Sequence, residues 1–215
     1  MSGVTARHES KTRILNAALS VIRQKGYGAT RVDDICEAAG LTKGSFFHHF
    51  SGKEDLAKAA ADHWSEATSA IFISAPYHSL ADPLERVLAY VDLRKHMIRG
   101  DLPEFTCLIG TMAQEVYKTH PAIRDACDAS ISDHVRTLIP DIEAAIKQRG
   151  IQGDWTAESL ALFTQAVLQG AFVLAKAKHG VGPALDSVDH LRRYIELLFS
   201  VDRSSHPLQS PKEKS

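Results

Sequence analysis

The feature that most limits how this chain can fold is a run of apolar residues between positions 30 and 50. Val32, Ile35 and Ala39 recur at helical spacing, Ala39-Gly40-Leu41 interrupts them, and Phe46 and Phe50 resume the period. That pattern predicts two short helices, 32–39 and 43–49, joined by a glycine-containing turn. A longer helix over about 9–25 precedes them. It carries Ile14, Ala18 and Ile22 on one face, with Leu15 and Leu19 beside it, and stops at Gly26. Ile35, Leu41, Phe46 and Phe50, supported by Val32 and Ala39, have the spacing to close a three-helix core. Lys43, Ser45, Phe47 and His48 are then left facing out on the second short helix.

The helical period continues to the end of the chain, without strand-like alternation or internal repeats. Thr30 with Asp33 and Ser51 with Glu54 have the spacing of capping boxes, and Thr42 suits the cap of helix 43–49. Further helices are predicted at 53–73, 82–99, 104–119, 121–149, 156–179 and 184–200. Breaks fall at Pro76 and Pro83, at Gly100 and Pro103, at Gly150 to Gly153 and at Gly180 to Pro183. Pro121 suits a first helical turn, whereas Pro140 lies inside 121–149 and should kink it. The expectation is an all-α chain of about nine helices. A unit over 1–52 is followed by a larger helical unit over 53–201 and a polar tail, 202–215, expected to be disordered.

Apolar residues are 44% of the chain and aromatics only 7%, so a core of Leu, Ile, Val and Ala is expected. Net charge is −1, yet residues 1–56 hold eight Lys or Arg against six Asp or Glu. The N-terminal excess has the sign that nucleic-acid binding needs, at small size. Three widely spaced cysteines, Cys36, Cys107 and Cys127, and no signal-like segment fit a reducing cytoplasm. Residues 159–175 are uncharged, but Ser159, Thr164, Gln165, Gln169 and Gly170 make them a buried helix rather than a membrane span. Enzyme chemistry finds no support. His48-His49 and Asp133-His134 are adjacent pairs that diverge on a helix, Asp128 with Asp133 has no catalytic spacing, and no phosphate loop or nucleophile elbow appears. No metal site or cofactor is expected.

The stretch 14–60, ILNAALSVIRQKGYGATRVDDICEAAGLTKGSFFHHFSGKEDLAKAA, resembles the DNA-binding domain of the TetR family of transcriptional regulators. The resemblance rests on Gly26-Tyr27, Thr30, Ile35, Ala38-Ala39-Gly40-Leu41, Lys43-Gly44, His48, Phe50 and Lys53-Glu54-Asp55-Leu56. It covers about a quarter of the chain. Phe47 departs from it, standing where the family usually has Tyr. The resemblance implies that Thr42, Lys43, Gly44 and Ser45 open a recognition helix in the major groove. It also implies that Thr30, Arg31, His48 and Lys53 approach the DNA backbone. Without a hydroxyl, Phe47 would meet a thymine methyl or sugar carbons.

The resemblance further implies a homodimer on a palindromic double-stranded operator, repression, and release by a small hydrophobic or aromatic effector. The dimer interface is expected on the last two helices, through Leu160, Phe163, Val167, Gly170, Ala171 and Leu174 and through Leu191, Tyr194, Ile195 and Leu198. Trp64, Phe72, Tyr90, Phe105, Met112 and Gln114 are the expected pocket residues, with helix 53–73 as the lever. Two alternatives stand beside this. One is a redox or electrophile sensor acting through Cys107 near a helix start. The other is a helical adaptor that binds protein and not DNA.

Overall fold

The computed structural model describes residues 2–200, and among these every regular element is helical. The expected disorder of 202–215 falls outside the described residues. Helices α1 (Ser2–Lys25), α2 (Val32–Ala39), α3 (Lys43–His49) and α4 (Lys53–Ile73) lead to a 3-10 turn at Pro76–Ser79. They are followed by α5 (Pro83–His96), α6 (Leu102–Phe105), α7 (Leu108–Val116), α8 (Pro121–Arg149), α9 (Ala157–Ala177) and α10 (Gly182–Ser200). The first helix therefore starts earlier than the apolar stripe indicated. The helix expected at 104–119 is two, which makes ten α-helices among the described residues where about nine were expected. Thr106 causes the break: it is extended and fully buried, and its hydroxyl donates to Leu102 O at 2.7 Å. Helix α8 continues past Pro140, which lies on an exposed position.

Local chemistry explains the ends of α2 and α3. Gly40 closes α2 in the left-handed region (φ 61°), and Leu41 N donates back to Cys36 O at 2.9 Å. A side chain there would be strained, so the turn needs glycine. Thr42 Oγ1 accepts from Ser45 N at 3.2 Å, as expected for the α3 cap. The other two caps use different residues. Asp34, not Asp33, closes the start of α2, accepting from Arg31 N at 2.8 Å. Asp55, not Glu54, accepts from Ser51 N and Oγ before α4.

Two hydrophobic clusters hold the chain together. One gathers Ile14, Ala18, Ile22, Ile35, Phe46, Phe50 and Leu56 with Leu108, Ile109, Met112 and Val116 of α7 and Ile123 and Cys127 of α8. The other joins α5, the C-terminal part of α8, α9 and α10 around Val91, Ile142, Leu168 and Ile195. Packing thus divides differently from a cut at residue 52. Helices α4 and α8 run through both cores, and α7 completes the N-terminal one.

Lys53 ties the loop between α1 and α2 to the start of α4. Its Nζ donates to Tyr27 O and Thr30 O, each at 3.0 Å, and lies 4.3 Å from the Tyr27 ring centroid. Removing the ammonium leaves those carbonyls without that donor and removes a cation–π contact. Lys53→Met should destabilise the fold by about 1–3 kcal/mol in urea unfolding; an unchanged midpoint would show that the staple is dispensable.

Candidate DNA interface and effector cavity

The three N-terminal helices project α3 outward. Phe46 is fully buried and Phe50 nearly so, which orients Lys43, Gly44, Phe47 and His48 to the surface; Phe47 is 57% exposed. Ser45 is partly exposed and Thr42 is exposed beside it. Arg31 projects into solvent at the start of α2. These residues share one end of the molecule. Lys43 Nζ meets Asp33 Oδ1 at 2.8 Å, and that hydrogen bond holds its pKa above the usual lysine value. A phosphate approaching Lys43 therefore competes with a carboxylate already in place.

Two expected backbone contacts are not placed that way. Thr30 is only 1% exposed, and its hydroxyl donates to Gly26 O at 2.6 Å. Lys53 spends its ammonium on the loop carbonyls described above. Both residues shape the reading head from inside. Sequence reasoning also passed over cations on α1. Arg7 and Lys11 lie close enough to His49, with His48, to lower its pKa alongside the larger effect of burial, and Lys11 Nζ is 5.9 Å from the Phe50 ring centroid. Their spacing on an amphipathic helix was the available signal. Arg13 instead closes the turn, donating to Ala39 O at 2.6 Å.

Gly44 separates folding from recognition. It is exposed in the first turn of α3, and an added Cβ would meet only Thr42 Oγ1 at 3.6 Å, an ordinary contact. Gly44→Ala should keep or raise stability, by up to about 1 kcal/mol. If DNA approaches the backbone there, the same change should reduce DNA affinity at least about tenfold in a fluorescence anisotropy titration. Unchanged affinity would remove Gly44 from the interface.

The second site is a cavity of about 150 Å³ lined by residues of α4 to α9 and open to solvent at Ser69, Glu104 and Asp133. Trp64, Phe72 and Phe105 line it as anticipated, joined by Ile109, Ile131 and Phe172. The other three anticipated residues do not line it. Met112 is fully buried in the N-terminal core, Gln114 is exposed and donates to Gly110 O, and Tyr90 lies behind the wall at 1% exposure. Their helical faces are apolar or mixed, which does not distinguish wall from core. Arg94, His134, Gln165 and Gln169 supply polarity. Tyr90 accepts at its hydroxyl from Arg94 Nη1 and Gln165 Nε2, each at 3.2 Å. Its own proton is then available to His134 Nε2 at 2.8 Å.

That arrangement requires neutral His134. Burial, with Arg94 nearby, pulls its pKa down to about 3. The unfolded imidazole keeps a value near 6.5. The unfolded chain thus holds more protons between those values, and stability falls as pH drops through the window. The slope should be about 1.4 kcal/mol per pH unit from His134 alone. Comparing urea unfolding of the wild type and His134→Gln from pH 6.5 to 4.5 should show a shallower slope in the variant; equal slopes would mean that the buried ring is not the source.

Cys107 caps α7, its Sγ accepting from Gly110 N at 3.4 Å, and it borders the cavity. Cys36 and Cys127 are buried, and desolvation, the larger cause, pushes the Cys127 thiol up to about 12. Among the described residues no group of three or more His, Cys, Asp or Glu is placed to hold a metal.

The expected dimer residues divide by exposure. Leu160, Ala171, Leu191 and Ile195 are internal core, because α9 and α10 bury those faces within one chain. Phe163, Gly170, Leu174 and Tyr194 are exposed, and Val167 and Leu198 are partly so. Leu162, Val173 and Leu197, not anticipated, extend the exposed apolar face. Phe163 and Tyr194 stack across α9 and α10 at 5.0 Å. Helix α9 has the length and hydropathy of a membrane span, but it packs against α8 and α10 and buries Thr164 and Gln165.

A trihelical reading head fused to a helical unit with an internal cavity defines a helix-turn-helix DNA-binding regulator rather than an enzyme. Residues 14–60 match the family model described as bacterial regulatory proteins, tetR family, and 83–191, about half of the chain, match the tetracyclin repressor-like C-terminal domain. The chain belongs to the TetR family of transcriptional regulators. It is similar to the transcriptional regulator AcuR of Cereibacter sphaeroides, 27% identical over 48% of this chain, although the match spans only 47% of AcuR. LmrA of Bacillus subtilis, an HTH-type transcriptional regulator, is 24% identical over 82% of this chain and 92% of its own length. A TetR transcriptional regulator of Chloroflexus aurantiacus superposes with a TM-score of 0.77 at 27% identity, covering 89% of this chain and 96% of that one.

Proposed function

We propose that this protein is a homodimeric repressor that binds a palindromic operator and is released by a small effector held in the α4–α9 cavity. The observation that carries the reading is the physical linkage between cavity and reading head. Trp64 and Ile109 line the cavity while α4 and α7 also form the N-terminal core. Arg23 of α1 lies over the Trp64 ring at 5.0 Å, and Glu115 at the far end of α7 accepts from Gly28 N at 2.8 Å. An occupant that displaces Trp64 or Ile109 acts on α1, on α4 and on the loop before α2 together. Weakening operator binding about 100-fold requires the effector to prefer the released state by about 2.7 kcal/mol.

Dimerisation through α9 and α10 is favoured by the exposed apolar side chains of Leu162, Phe163, Val173, Leu174, Tyr194 and Leu197 on these two helices. Two copies across a dyad place two recognition helices on successive turns of DNA, which a single head cannot read with comparable specificity. Lys43, Gly44, Ser45, Phe47 and His48 would enter the groove, with Arg31 and Thr42 on phosphates. Action on DNA in a bacterial cell implies a cytoplasmic protein.

Selection of bound fragments from random DNA should return an inverted repeat, and affinity for it should fall steeply with salt as counterions are released. Leu174→Glu should yield a folded monomer on size exclusion with at least about tenfold weaker operator binding. A dimer that persists in that variant would place the interface elsewhere. Salt-insensitive or absent DNA retention by the wild type would favour the adaptor reading.

A further inference from the structure

We infer that the α4–α9 cavity is built for a small aromatic monocarboxylate, with the Arg94 guanidinium as its anion anchor. The inference rests on the effector reading above and names the chemistry that such a cavity would select.

Arg94 projects from α5 into the cavity wall. Its Cζ lies 5.4 Å from the Phe72 ring centroid and 5.9 Å from that of Tyr90, so two aromatic faces fix its plane. Nη1 is engaged by Tyr90 Oη at 3.2 Å and approaches His134 Nε2 at 3.4 Å. Both partners are neutral: burial raises the Tyr90 pKa and lowers that of His134. The Nε and Nη2 edge has no hydrogen bond to any described residue, and no described carboxylate lies within ion-pair distance of the guanidinium. That free edge is the pair of parallel donors that a carboxylate engages in bidentate fashion.

Two acids, Asp133 and Glu104, also line the cavity. Asp133 is paired with Arg136. Glu104 Oε2 accepts from Asp101 N at 2.7 Å. The neighbouring cation Arg23 is turned to main-chain oxygens, donating to Leu19 O at 2.9 Å and Glu104 O at 3.2 Å. No described acid forms an ion pair with Arg94, although two carboxylates share the cavity wall with it. A half-buried cation in such surroundings favours an anion over a neutral molecule of the same shape.

The remaining wall sets the body of the ligand. Trp64, Phe72, Phe105 and Phe172 present aromatic surface, and Ile109 and Ile131 close the ends. A volume of about 150 Å³ admits one ring and a short substituent; a cavity of that size in an unrelated protein holds benzene.

The sequence holds two tryptophans. Trp64 lines the cavity, and Trp155 packs on Phe199 outside it. In a Trp155→Phe background, the emission of Trp64 reports occupancy. Titration of the full-length protein with benzoate and with its neutral isostere benzamide then gives two dissociation constants at one site. Benzoate should bind at least about tenfold more tightly. Arg94→Met should abolish that preference while changing benzamide affinity less than about threefold. Arg94→Lys, which keeps the charge and loses the fork, should retain only part of it and covers the case in which Arg94→Met fails to fold. Benzamide binding as tightly as benzoate, or a preference that survives the variant that folds, would overturn the anion anchor and leave the cavity reading standing. Failure of both probes to perturb Trp64 would reject the effector cavity and the anchor with it.

Discussion

The structure depends on one packing arrangement: α7 and the start of α8 sit inside the core of the DNA-reading head. Leu108, Ile109 and Met112 are essentially without solvent exposure, as are their neighbours Ile14, Ile22 and Leu56 from the N-terminal helices. Each such side chain contributes roughly 1.5–3 kcal/mol on burial. A head of α1 to α3 alone would expose that surface. The reading head is therefore not a small domain tethered to a larger one. It is completed by helices from the unit that holds the cavity, and close-packed interiors transmit displacement instead of absorbing it.

The contact of Glu115 with Gly26 and Gly28 shows how tight that junction is. Gly26 adopts a left-handed conformation (φ 84°), and a Cβ on it would collide with Glu115 Oε1. The carboxylate can approach the loop only because no side chain stands there. Lys53 grips the same loop from the opposite direction. Arg31 and α2 thus begin from a segment clamped by α4 and by α7, the two helices that also contribute Trp64 and Ile109 to the cavity wall. Helix α4 is therefore not alone in reaching this loop from the cavity wall, because α7 contacts it independently through Glu115.

Much of this was legible in the chain, and the failures have physical causes. Helix ranges such as 32–39, 43–49 and 53–73 followed from apolar period, glycine and proline, because local backbone preference decides them. The two-helix outcome for 104–119 did not, since Thr106 leaves the helix to bury its methyl and bond Leu102 O, a tertiary choice. Thr30 and Lys53 were recognised as special positions but assigned to DNA, whereas their polar atoms are consumed by main-chain carbonyls. A sequence pattern marks that a hydroxyl or ammonium is needed without naming its partner. Helix α9 is apolar nearly all round, so Leu160 and Ala171 could not be told from Phe163 and Leu174 until α8 and α10 covered one face. Arg94 drew no attention because a cation in a helical stripe ordinarily ends in solvent.

Arg94 also clarifies why the cavity contains a polar cluster. A lone guanidinium beside an apolar void would be costly unless its donors were met. Tyr90 and His134 meet one side of it, and Gln165 holds Tyr90 in turn: the phenol accepts twice and donates once, and the imidazole stays neutral to receive that proton. Tyr90 is held between α5, α8 and α9 by these bonds and by the tilted stacking of Phe72 at 5.5 Å. The network therefore fixes the orientation of the guanidinium before any ligand arrives. Ordering costs are met during folding, so an anion that matches the free edge need only displace water from it. Phe72 of α4 packs on the same cluster, its ring centroid 5.4 Å from Arg94 Cζ, so a ligand held at Arg94 would lie against a helix that also builds the DNA-reading head.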